Sequence, residues 1–237
     1  MMVGNEKNVR AIAQRPETRA IIGTVIVVDD DAGIRASLDS LFRSADLCVV
    51  TFADPSEFLA AGLPDGECCL VLDVRLKTAD GLAFQASLAQ GGINIPIILM
   101  TGHGDIPMTV KGMRAGAIDF LTKPFSDEAI LSAVHDALKI SRSLRKEVRQ
   151  RADMQARYEQ LSVREREVMA LVASGLMNKQ VAARLEISLI TVKIYRANAM
   201  KKMHASSLAD LVRQAEELGI RDESVSRYHT EDDTRQR

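Results

Sequence analysis

No apolar run in this chain of 237 residues approaches the 18 residues that a membrane-spanning helix requires. The first 23 residues are polar and contain four basic side chains, so they lack the apolar core of a secretory signal peptide. Cysteine is also scarce, and Cys48, Cys68 and Cys69 show neither metal-ligand spacing nor the even number of a disulfide framework. We therefore expect a cytoplasmic protein with no membrane partner, in which the cysteines are small apolar core residues.

The net charge of −1 at pH 7 conceals a separation of charge along the chain. Residues 24–138 contain 16 acidic and 7 basic side chains, whereas residues 139–214 contain 7 acidic and 16 basic side chains. With 46% apolar residues, the chain can form two domains with separate cores. The charge pattern then predicts a cation-binding domain joined to a domain that meets a polyanion.

Short β-branched segments alternate with segments of helical spacing in the first half of the chain. The segments with strand character cover residues 24–28, 47–52, 68–72, 95–100 and 117–121. Start signals such as Asp54, Asp105 and Ser126 predict helices that begin near residues 31, 55, 81, 105 and 127. Five such repeats predict an α/β domain at residues 24–138, with a doubly wound, five-stranded parallel sheet of the flavodoxin-like kind.

Polar side chains follow the ends of four predicted strands, at Asp29, Asp30, Asp73, Thr101 and Lys123. The carboxyl ends of parallel strands form one edge of a sheet, so these side chains are expected to meet. Carboxylate oxygens suit Mg²⁺, a role that fits Asp30 and Asp73. A carboxylate near that cation can attack a phosphoryl group, with Lys123 and Thr101 neutralising its oxygens. A single acidic residue here would more often cap a helix, but the five together favour a site.

The second half of the chain has helical patterns and no strand pattern. Residues 139–160 predict a helical linker, either solvated or paired as a short dimeric coiled coil. Residues 161–219 predict four helices, with start signals at Ser162 with Glu165, at Asn178, at Ser188, and at Ser206 or Ser207. A tight turn between the second and third helices is typical of a helix-turn-helix unit. The extension at residues 1–23 is polar, and the polar tail at residues 220–237 is expected to be disordered.

The third of these helices, from Thr191 to Met203, has two distinct faces when its residues are placed 100° apart. Val192, Ala199 and Met203 form the predicted core stripe. The opposite face carries an isoleucine at its centre and is formed by Ile190, Lys193, Ile194, Ala197, Asn198 and Lys201. A single exposed apolar residue is common on any surface, but this one also suits contact with thymine methyl groups beside a lysine that reads guanine.

Other polar residues of this region are better placed for the DNA backbone. Lys179, Thr191 and Lys201 are predicted phosphate contacts, which fix the register of a protein on DNA without reading its sequence. Arg196 lies about 40° from the core stripe at 100° per residue. It is therefore expected either to pair with Glu165 or Glu167 or to contact DNA.

Four motifs of the first half resemble the receiver domain of two-component response regulators. They are Val27-Val-Asp-Asp-Asp31, Asp73, Thr101-Gly-His-Gly-Asp105 and Phe120-Leu-Thr-Lys-Pro-Phe125. The resemblance implies that Asp73 accepts a phosphoryl group from a cognate sensor histidine kinase. It implies an Mg²⁺ site formed by Asp29, Asp30, Asp73 and the backbone carbonyl of Arg75. It also implies a phosphate contact by Lys123, a switch pair of Thr101 and Phe120, and a cis peptide bond before Pro124.

Residues 161–219 resemble a LuxR-type helix-turn-helix domain. The motifs that carry this resemblance are Arg164-Glu-Arg-Glu-Val168, Asn178-Lys-Gln-Val-Ala182 and Ile187-Ser-Leu-Ile-Thr-Val-Lys193. Together the two halves resemble the FixJ/NarL class of response regulators, and in particular its FixJ branch. The resemblance implies a transcription regulator, not an enzyme, that dimerises on phosphorylation and works with double-stranded promoter DNA and RNA polymerase. One departure is Lys77, which stands where the family usually has proline, so the stiffness of that loop is open.

Three alternatives differ from this interpretation in mechanism. A phosphatase with an aspartyl nucleophile typically has a second aspartate two residues later, and that position is Arg75 here. A ligand-sensing LuxR-type regulator would be associated with an aromatic-lined pocket, whereas this chain has no tryptophan and 4% aromatic residues. DNA binding that does not depend on phosphorylation is the third alternative.

Overall fold

The computed structural model describes residues 23–102 and 106–221, which divide into two structural units between Arg145 and Lys146. The predicted N-terminal extension, the helix start at Asp105 and nearly all of the predicted C-terminal tail lie outside these residues. Among the described residues, no helix combines the length and apolar character needed to cross a membrane.

The first unit is built around a parallel sheet with the strand order β2-β1-β3-β4-β5. Its strands are β1 Thr24–Val28, β2 Cys48–Phe52, β3 Cys68–Asp73, β4 Ile97–Thr101 and β5 Asp119–Thr122. The helices are α1 Ala32–Ser44, α2 Pro55–Ala61, α3 Gly81–Gln90, α4 Ile106–Arg114 and α5 Asp127–Glu159. The predicted α/β fold with five parallel strands is therefore confirmed.

Both faces of the sheet are buried because side chains along each strand alternate between two apolar cores. On β1, Ile26 and Val28 belong to one core, whereas Val25 and Val27 belong to the other. Cys68 and Cys69 divide between the cores in the same way, and burial raises the pKa of the Cys69 thiol to about 12. The interpretation of these two cysteines as core residues is confirmed.

Strand ends differ slightly from the predicted ones, and the difference matters for function. β4 begins at Ile97 and β5 at Asp119, each two residues later than predicted, while β3, β4 and β5 each extend one residue further. Asp73 and Thr101 are therefore the last residues of their strands rather than the first residues of loops. Their backbones are held by the sheet, which fixes the positions of both side chains.

Helix α5 continues well past the predicted domain boundary at residue 138. Its contacts with the first unit also continue, because the Ser141 hydroxyl accepts a 3.0 Å hydrogen bond from the Cys68 amide. The Arg142 guanidinium then donates to both carboxylate oxygens of Glu67, at 2.7 and 2.8 Å. Two polar anchors thus hold this part of α5 against the chain that leads into β3.

The second unit contains four further helices, α6 Val163–Ala173, α7 Asn178–Leu185, α8 Leu189–Met203 and α9 Leu208–Glu217. Ser162 and Glu165 form the predicted capping box at the start of α6, and Ser188 and Ser207 cap α8 and α9. The predicted cap at Asn178 is wrong. Met177 occupies that position, its amide donates to the Gln180 side chain at 2.8 Å, and Asn178 is the first helical residue.

A partly buried ion pair, with a buried carboxylate, joins α6 to α8 in this unit. Lys202 donates a 2.6 Å hydrogen bond to the Glu165 carboxylate, and only 5% of the Glu165 side chain is exposed. Burial alone would raise the pKa of the Glu165 carboxyl, but hydrogen bonds from Lys202 and Ser162 outweigh it and lower that pKa. The charged carboxylate is therefore stabilised in the folded state and contributes to stability at neutral pH.

Replacing Lys202 by Met should destabilise the second unit by about 1 to 2 kcal/mol, because it leaves a buried carboxylate without its cation. Native-state hydrogen exchange at the buried amides of α6 measures this loss. Because the folded pKa of Glu165 is lowered, the loss should be present at neutral pH and disappear as acid protonates the carboxylate.

The matched control is Arg213→Met, which removes an exposed ion pair with Asp210 within α9. An exposed pair of this kind contributes little, so a change of less than about 0.5 kcal/mol is expected. Equal losses in the two variants would contradict the role assigned to the partly buried pair.

Candidate functional site

Three aspartates meet at the edge formed by the carboxyl ends of the strands. Asp29 and Asp30 follow β1, Asp73 ends β3, and one carboxylate oxygen of each lies within 4.8 Å of the others. β1 and β3 are neighbours in the sheet, with Val28 opposite Leu72, so the register brings these residues together. The predicted convergence of the three carboxylates is therefore observed.

The Lys123 ammonium lies between two of these carboxylates. It is 2.7 Å from an oxygen of Asp29 and 2.8 Å from an oxygen of Asp73. Only 17% of the Lys123 side chain and none of the Asp29 side chain is exposed. Lys123 follows β5, so one cation binds carboxylates that belong to two other strand ends.

Burial and pairing act in opposite directions on these groups. Loss of water raises the pKa of the Asp29 carboxyl, and the hydrogen bond from Lys123 offsets only part of that rise. Burial alone would lower the pKa of the Lys123 ammonium, but hydrogen bonds to Asp29 and Asp73 outweigh it and raise that pKa. The lysine is therefore charged at neutral pH, with its positive charge held beside Asp73.

Backbone groups orient the acidic side chains. The Arg75 amide donates a 3.0 Å hydrogen bond to one oxygen of Asp73, and the Asp31 amide donates a 2.8 Å bond to Asp29. The Asp31 carboxylate accepts from two amides in the first turn of α1, so it caps this helix. The Arg35 guanidinium donates to the Asp29 carbonyl at 2.7 Å, a support that the sequence analysis missed.

Thr101 and Phe120 lie on the neighbouring strands β4 and β5. Thr101 is fully buried at the end of β4, and its carbonyl accepts a 2.7 Å hydrogen bond from the Lys123 amide. Phe120 pairs with Leu99 in the register and packs, half-buried, against one of the two cores. The peptide bond between Lys123 and Pro124 is cis.

The loop between Asp73 and α3 is held by polar contacts. Lys77 forms an ion pair with Asp30 at 2.9 Å, and the Thr78 hydroxyl binds the Asp54 carboxylate. In the sequence, Lys77 is evident only as a departure from the family pattern, and no periodic pattern predicts the contact of Thr78 with Asp54, because these two residues are 24 positions apart.

Gly81 is a further site residue that the sequence analysis missed. A Cβ atom at this position would overlap the backbone carbonyl of Asp73 and lie 2.8 Å from the Cα atom of Val74. The Gly81 amide donates to the Val74 carbonyl at 2.9 Å, so α3 begins in direct contact with the end of β3. The only sequence signal for this contact is a glycine at the first position of a helix.

The chemistry of this edge follows from its donors. Three carboxylates offer hard oxygen ligands that fit a divalent cation such as Mg²⁺. The ammonium of Lys123 and the end of β4 lie beside Asp73, where charge on a transferred phosphoryl group would need neutralisation. The arrangement can therefore support attack by Asp73 on phosphorus.

Helix α8 carries the second candidate surface. Val192, Ala199 and Met203 are buried, which confirms the predicted core stripe. On the opposite face, 71% of Ile190 and 54% of Ile194 are exposed. The other residues predicted to contact DNA bases are exposed as well, namely Lys193, Ala197 and Asn198.

The predicted phosphate contacts have different environments. Lys179 and Lys201 are exposed, whereas Thr191 is half-buried, and its amide donates to the Ser188 cap at 3.0 Å. Arg196 is half-buried and donates a 3.2 Å hydrogen bond to Asn178, so it ties α8 to the start of α7.

The predicted pairing of Arg196 with Glu165 or Glu167 is wrong. Those two carboxylates bind Lys202 and Arg164 instead. Lys202 lies on α8 and Arg164 lies three residues before Glu167 on α6, whereas Arg196 reaches across to the start of α7.

Comparison with known families supports the division into two functional parts. Residues 25–135 match the response regulator receiver domain family, and residues 159–215 match the luxR family of bacterial regulatory proteins. The first match contains every residue of the strand-end cluster, which consists of Asp29, Asp30, Asp73, Thr101 and Lys123. The second match contains the whole of α8.

Two curated proteins of Bradyrhizobium diazoefficiens are similar over most of the chain. Nodulation protein W is 54% identical over 214 residues, which cover 90% of this chain and 91% of that protein. Transcriptional regulatory protein FixJ is 42% identical over 200 residues, which cover 84% of this chain and 97% of that protein. The solved structure of response regulator StyR has a TM-score of 0.71 at 43% identity, covering 82% of this chain and 98% of its own.

Replacing Gly81 by Ala should slow phosphorylation of Asp73 by about 10- to 100-fold, because a displacement near 1 Å at a reacting group has effects of this size. The added methyl group overlaps the carbonyl of Asp73, so α3 and the end of β3 must shift relative to each other. Intact mass measured over time with acetyl phosphate and Mg²⁺ gives the rate. Circular dichroism checks that the variant is folded.

Gly91→Ala is the matched control at the other end of α3, where the nearest atom to the added Cβ is 3.3 Å away. Its phosphorylation rate should stay within about twofold of the unmodified chain, since no atom of the site moves. Equal rates for the two variants would show that contact between α3 and β3 does not position Asp73.

Proposed function

Since this chain belongs to the FixJ/NarL class of response regulators and is a transcription regulator rather than an enzyme, we propose that a phosphoryl group on Asp73 controls its binding to promoter DNA. The observation that carries this proposal is the position of Asp73 between the Lys123 ammonium and two further carboxylates. We assign residues 24–138 to the receiver domain, 139–160 to a helical linker and 161–219 to the DNA-binding domain.

Phosphoryl transfer would use the side chains of the strand-end cluster. Asp29, Asp30, Asp73 and the carbonyl of Arg75 would hold Mg²⁺, which supplies positive charge to the phosphoryl oxygens when it is bound. An Asp73 oxygen forms a bond to phosphorus as the bond from phosphorus to a histidine nitrogen of the kinase breaks, and that imidazole leaves. Lys123 stabilises the negative charge on the transferred group.

A groove of about 1020 Å³ lies beside Lys123 and offers room for one helix of the kinase. Ile34, Ser37 and Leu41 of α1 line one side of it, and Phe125 lies on the other. Apolar side chains next to the reactive carboxylate suit the docking of an amphipathic helix that carries the phosphohistidine. The sensor histidine kinase is therefore proposed to bind here.

The phosphoryl group would act on the rest of the receiver domain through Thr101 and Phe120. In this proposal, the Thr101 hydroxyl moves toward the phosphate, and the Phe120 ring moves inward into the space that it leaves. α4 lies beside β5 and exposes three apolar residues, Ile106, Val110 and Met113. This face would form the surface of a phosphorylation-dependent homodimer.

The dimer would present two copies of α8 to paired half-sites in double-stranded promoter DNA. Lys193, Ile194 and Ala197 would contact base edges, with Asn198 beside them, while Lys179, Thr191 and Lys201 would contact phosphates. DNA contact by Arg196 stays a prediction, since its guanidinium is bound to Asn178. Bound at a promoter, the protein would act on RNA polymerase, and these partners would require it to be in the cytoplasm.

Binding without phosphorylation is the second candidate function. It is supported by the core of the helical unit, in which Val168, Leu171, Val181 and Val192 are buried. Footprinting of residues 158–220 against the full chain would distinguish the two. Equal protection by both would favour binding that the receiver domain does not control.

Phosphorylation with a small phosphodonor and Mg²⁺ should raise operator affinity by about 5- to 150-fold, the usual range for coupling between two sites. The operator is selected from a random duplex library, and affinity is measured by fluorescence anisotropy. Asp73→Asn should bind with the unphosphorylated affinity under both conditions, because its amide cannot form the aspartyl phosphate.

Asp65→Asn is the matched control, since this exposed aspartate precedes β3 and lies at the opposite edge of the sheet. Its response should equal that of the unmodified chain. An Asp73→Asn protein that still gains affinity with the phosphodonor would contradict the proposed function.

Base-reading and phosphate-binding residues should differ in a DNA-binding assay. Lys193→Met should weaken binding to the selected operator by about 1 to 3 kcal/mol and leave binding to a scrambled duplex nearly unchanged. Lys179→Met should weaken both equally and reduce the slope of log affinity against log salt by about 0.9. Titrations at several salt concentrations measure both effects, and equal behaviour of the two variants would contradict the assigned roles.

A further inference from the structure

Each aspartate of the strand-end cluster is paired with a lysine. Lys123 binds Asp29 and Asp73, and Lys77 binds Asp30 at 2.9 Å. The two lysines differ in exposure, since 17% of the Lys123 side chain is exposed but 80% of the Lys77 side chain. Three negative charges are therefore offset in part by two positive charges, one largely buried and one exposed, which leaves one negative charge in excess.

The backbone around Lys77 is held close to Asp30. The neighbouring Thr78 hydroxyl binds Asp54, the N-cap of α2, and the Arg75 backbone pairs with Asp80. The Lys77 side chain is therefore attached to a loop whose backbone is held in place by these contacts. Its pairing with Asp30 requires ordering only of its own side chain.

We propose that the Lys77 ammonium competes with the divalent cation for the Asp30 carboxylate and so lowers the affinity of the site for the metal ion. This inference rests on the Mg²⁺ site of the proposed function. A cation that binds the three carboxylates must take over an oxygen that Lys77 now holds, or accept a positive charge nearby. Both effects weaken its binding.

The exposure of Lys77 limits the size of this effect. Exposed ion pairs are weak because water and salt screen them, and the side chain can swing into solvent when the cation arrives. Lys77 should therefore raise the dissociation constant for Mg²⁺ by about two- to fivefold rather than block the site. Phosphorylation would then depend on Mg²⁺ over a higher concentration range than in a chain with a neutral residue here.

Isothermal titration calorimetry of the full-length, unphosphorylated chain with MgCl₂ tests this inference. Lys77→Met removes the charge and should tighten Mg²⁺ binding by about two- to fivefold. Lys77→Arg keeps the charge and should change it little. Lys139→Met is the matched control, because Lys139 is also exposed, is paired with Asp136 at 3.1 Å and carries the same charge.

Two further measurements identify competition at Asp30. The difference between Lys77→Met and the unmodified chain should shrink as KCl rises, since salt screens an exposed pair. In phosphorylation by acetyl phosphate, the half-saturating Mg²⁺ concentration should fall by the same factor while the plateau rate stays unchanged. A changed plateau with an unchanged midpoint would instead assign Lys77 to the phosphoryl group and overturn the inference.

The outcomes separate this inference from the function on which it rests. Equal Mg²⁺ affinity in the unmodified chain and Lys77→Met, with weaker binding in Asp30→Asn, would overturn the inference and leave the metal site in place. Mg²⁺ binding that Asp30→Asn and Asp73→Asn do not weaken, or no binding at all, would overturn the proposed metal site and the inference with it.

Discussion

The first unit depends on one interaction, in which the Lys123 ammonium binds the carboxylates of both Asp29 and Asp73. Each carboxylate is almost completely buried, and two like charges in one low-dielectric site repel unless a cation lies between them. The three residues come from the ends of β1, β3 and β5, so the contact also ties together three strands of the sheet. The Asp73 carboxylate is therefore positioned by the same interaction that stabilises its surroundings.

The position of this contact could be predicted from sequence because it follows from the fold. Parallel strands that are buried on both faces appear as short apolar runs, and the polar residue that ends each run marks one edge of the sheet. Asp73 and Lys123, 50 residues apart, were placed together by that rule alone. The core stripe of α8 was predicted in the same way, from helical spacing around Val192.

The features that escaped prediction are contacts between side chains that share no periodic pattern. Thr78 binds Asp54 across two loops, and Arg196 binds Asn178 across two helices. Asn178 is a good N-cap residue in general, yet in this chain its side chain accepts a hydrogen bond from Arg196, and Met177 takes the cap position. Propensity describes what a residue can do locally, and tertiary partners decide which of those contacts it makes.

The two lysines that pair with aspartates of the cluster have the same ammonium group but differ in burial, and this difference gives them different roles. Lys123 cannot leave without exposing two buried carboxylates to each other, so it is a permanent part of the site. Lys77 has the same ammonium group, but most of its side chain is in water and its pair with Asp30 is open to exchange. In the proposed function, the Lys123 ammonium would prepare Asp73 for phosphate, whereas the exchangeable Lys77 ammonium would adjust how readily a metal ion enters. The site therefore combines fixed and variable positive charge, and the exposed loop is where its properties can change without disturbing the sheet.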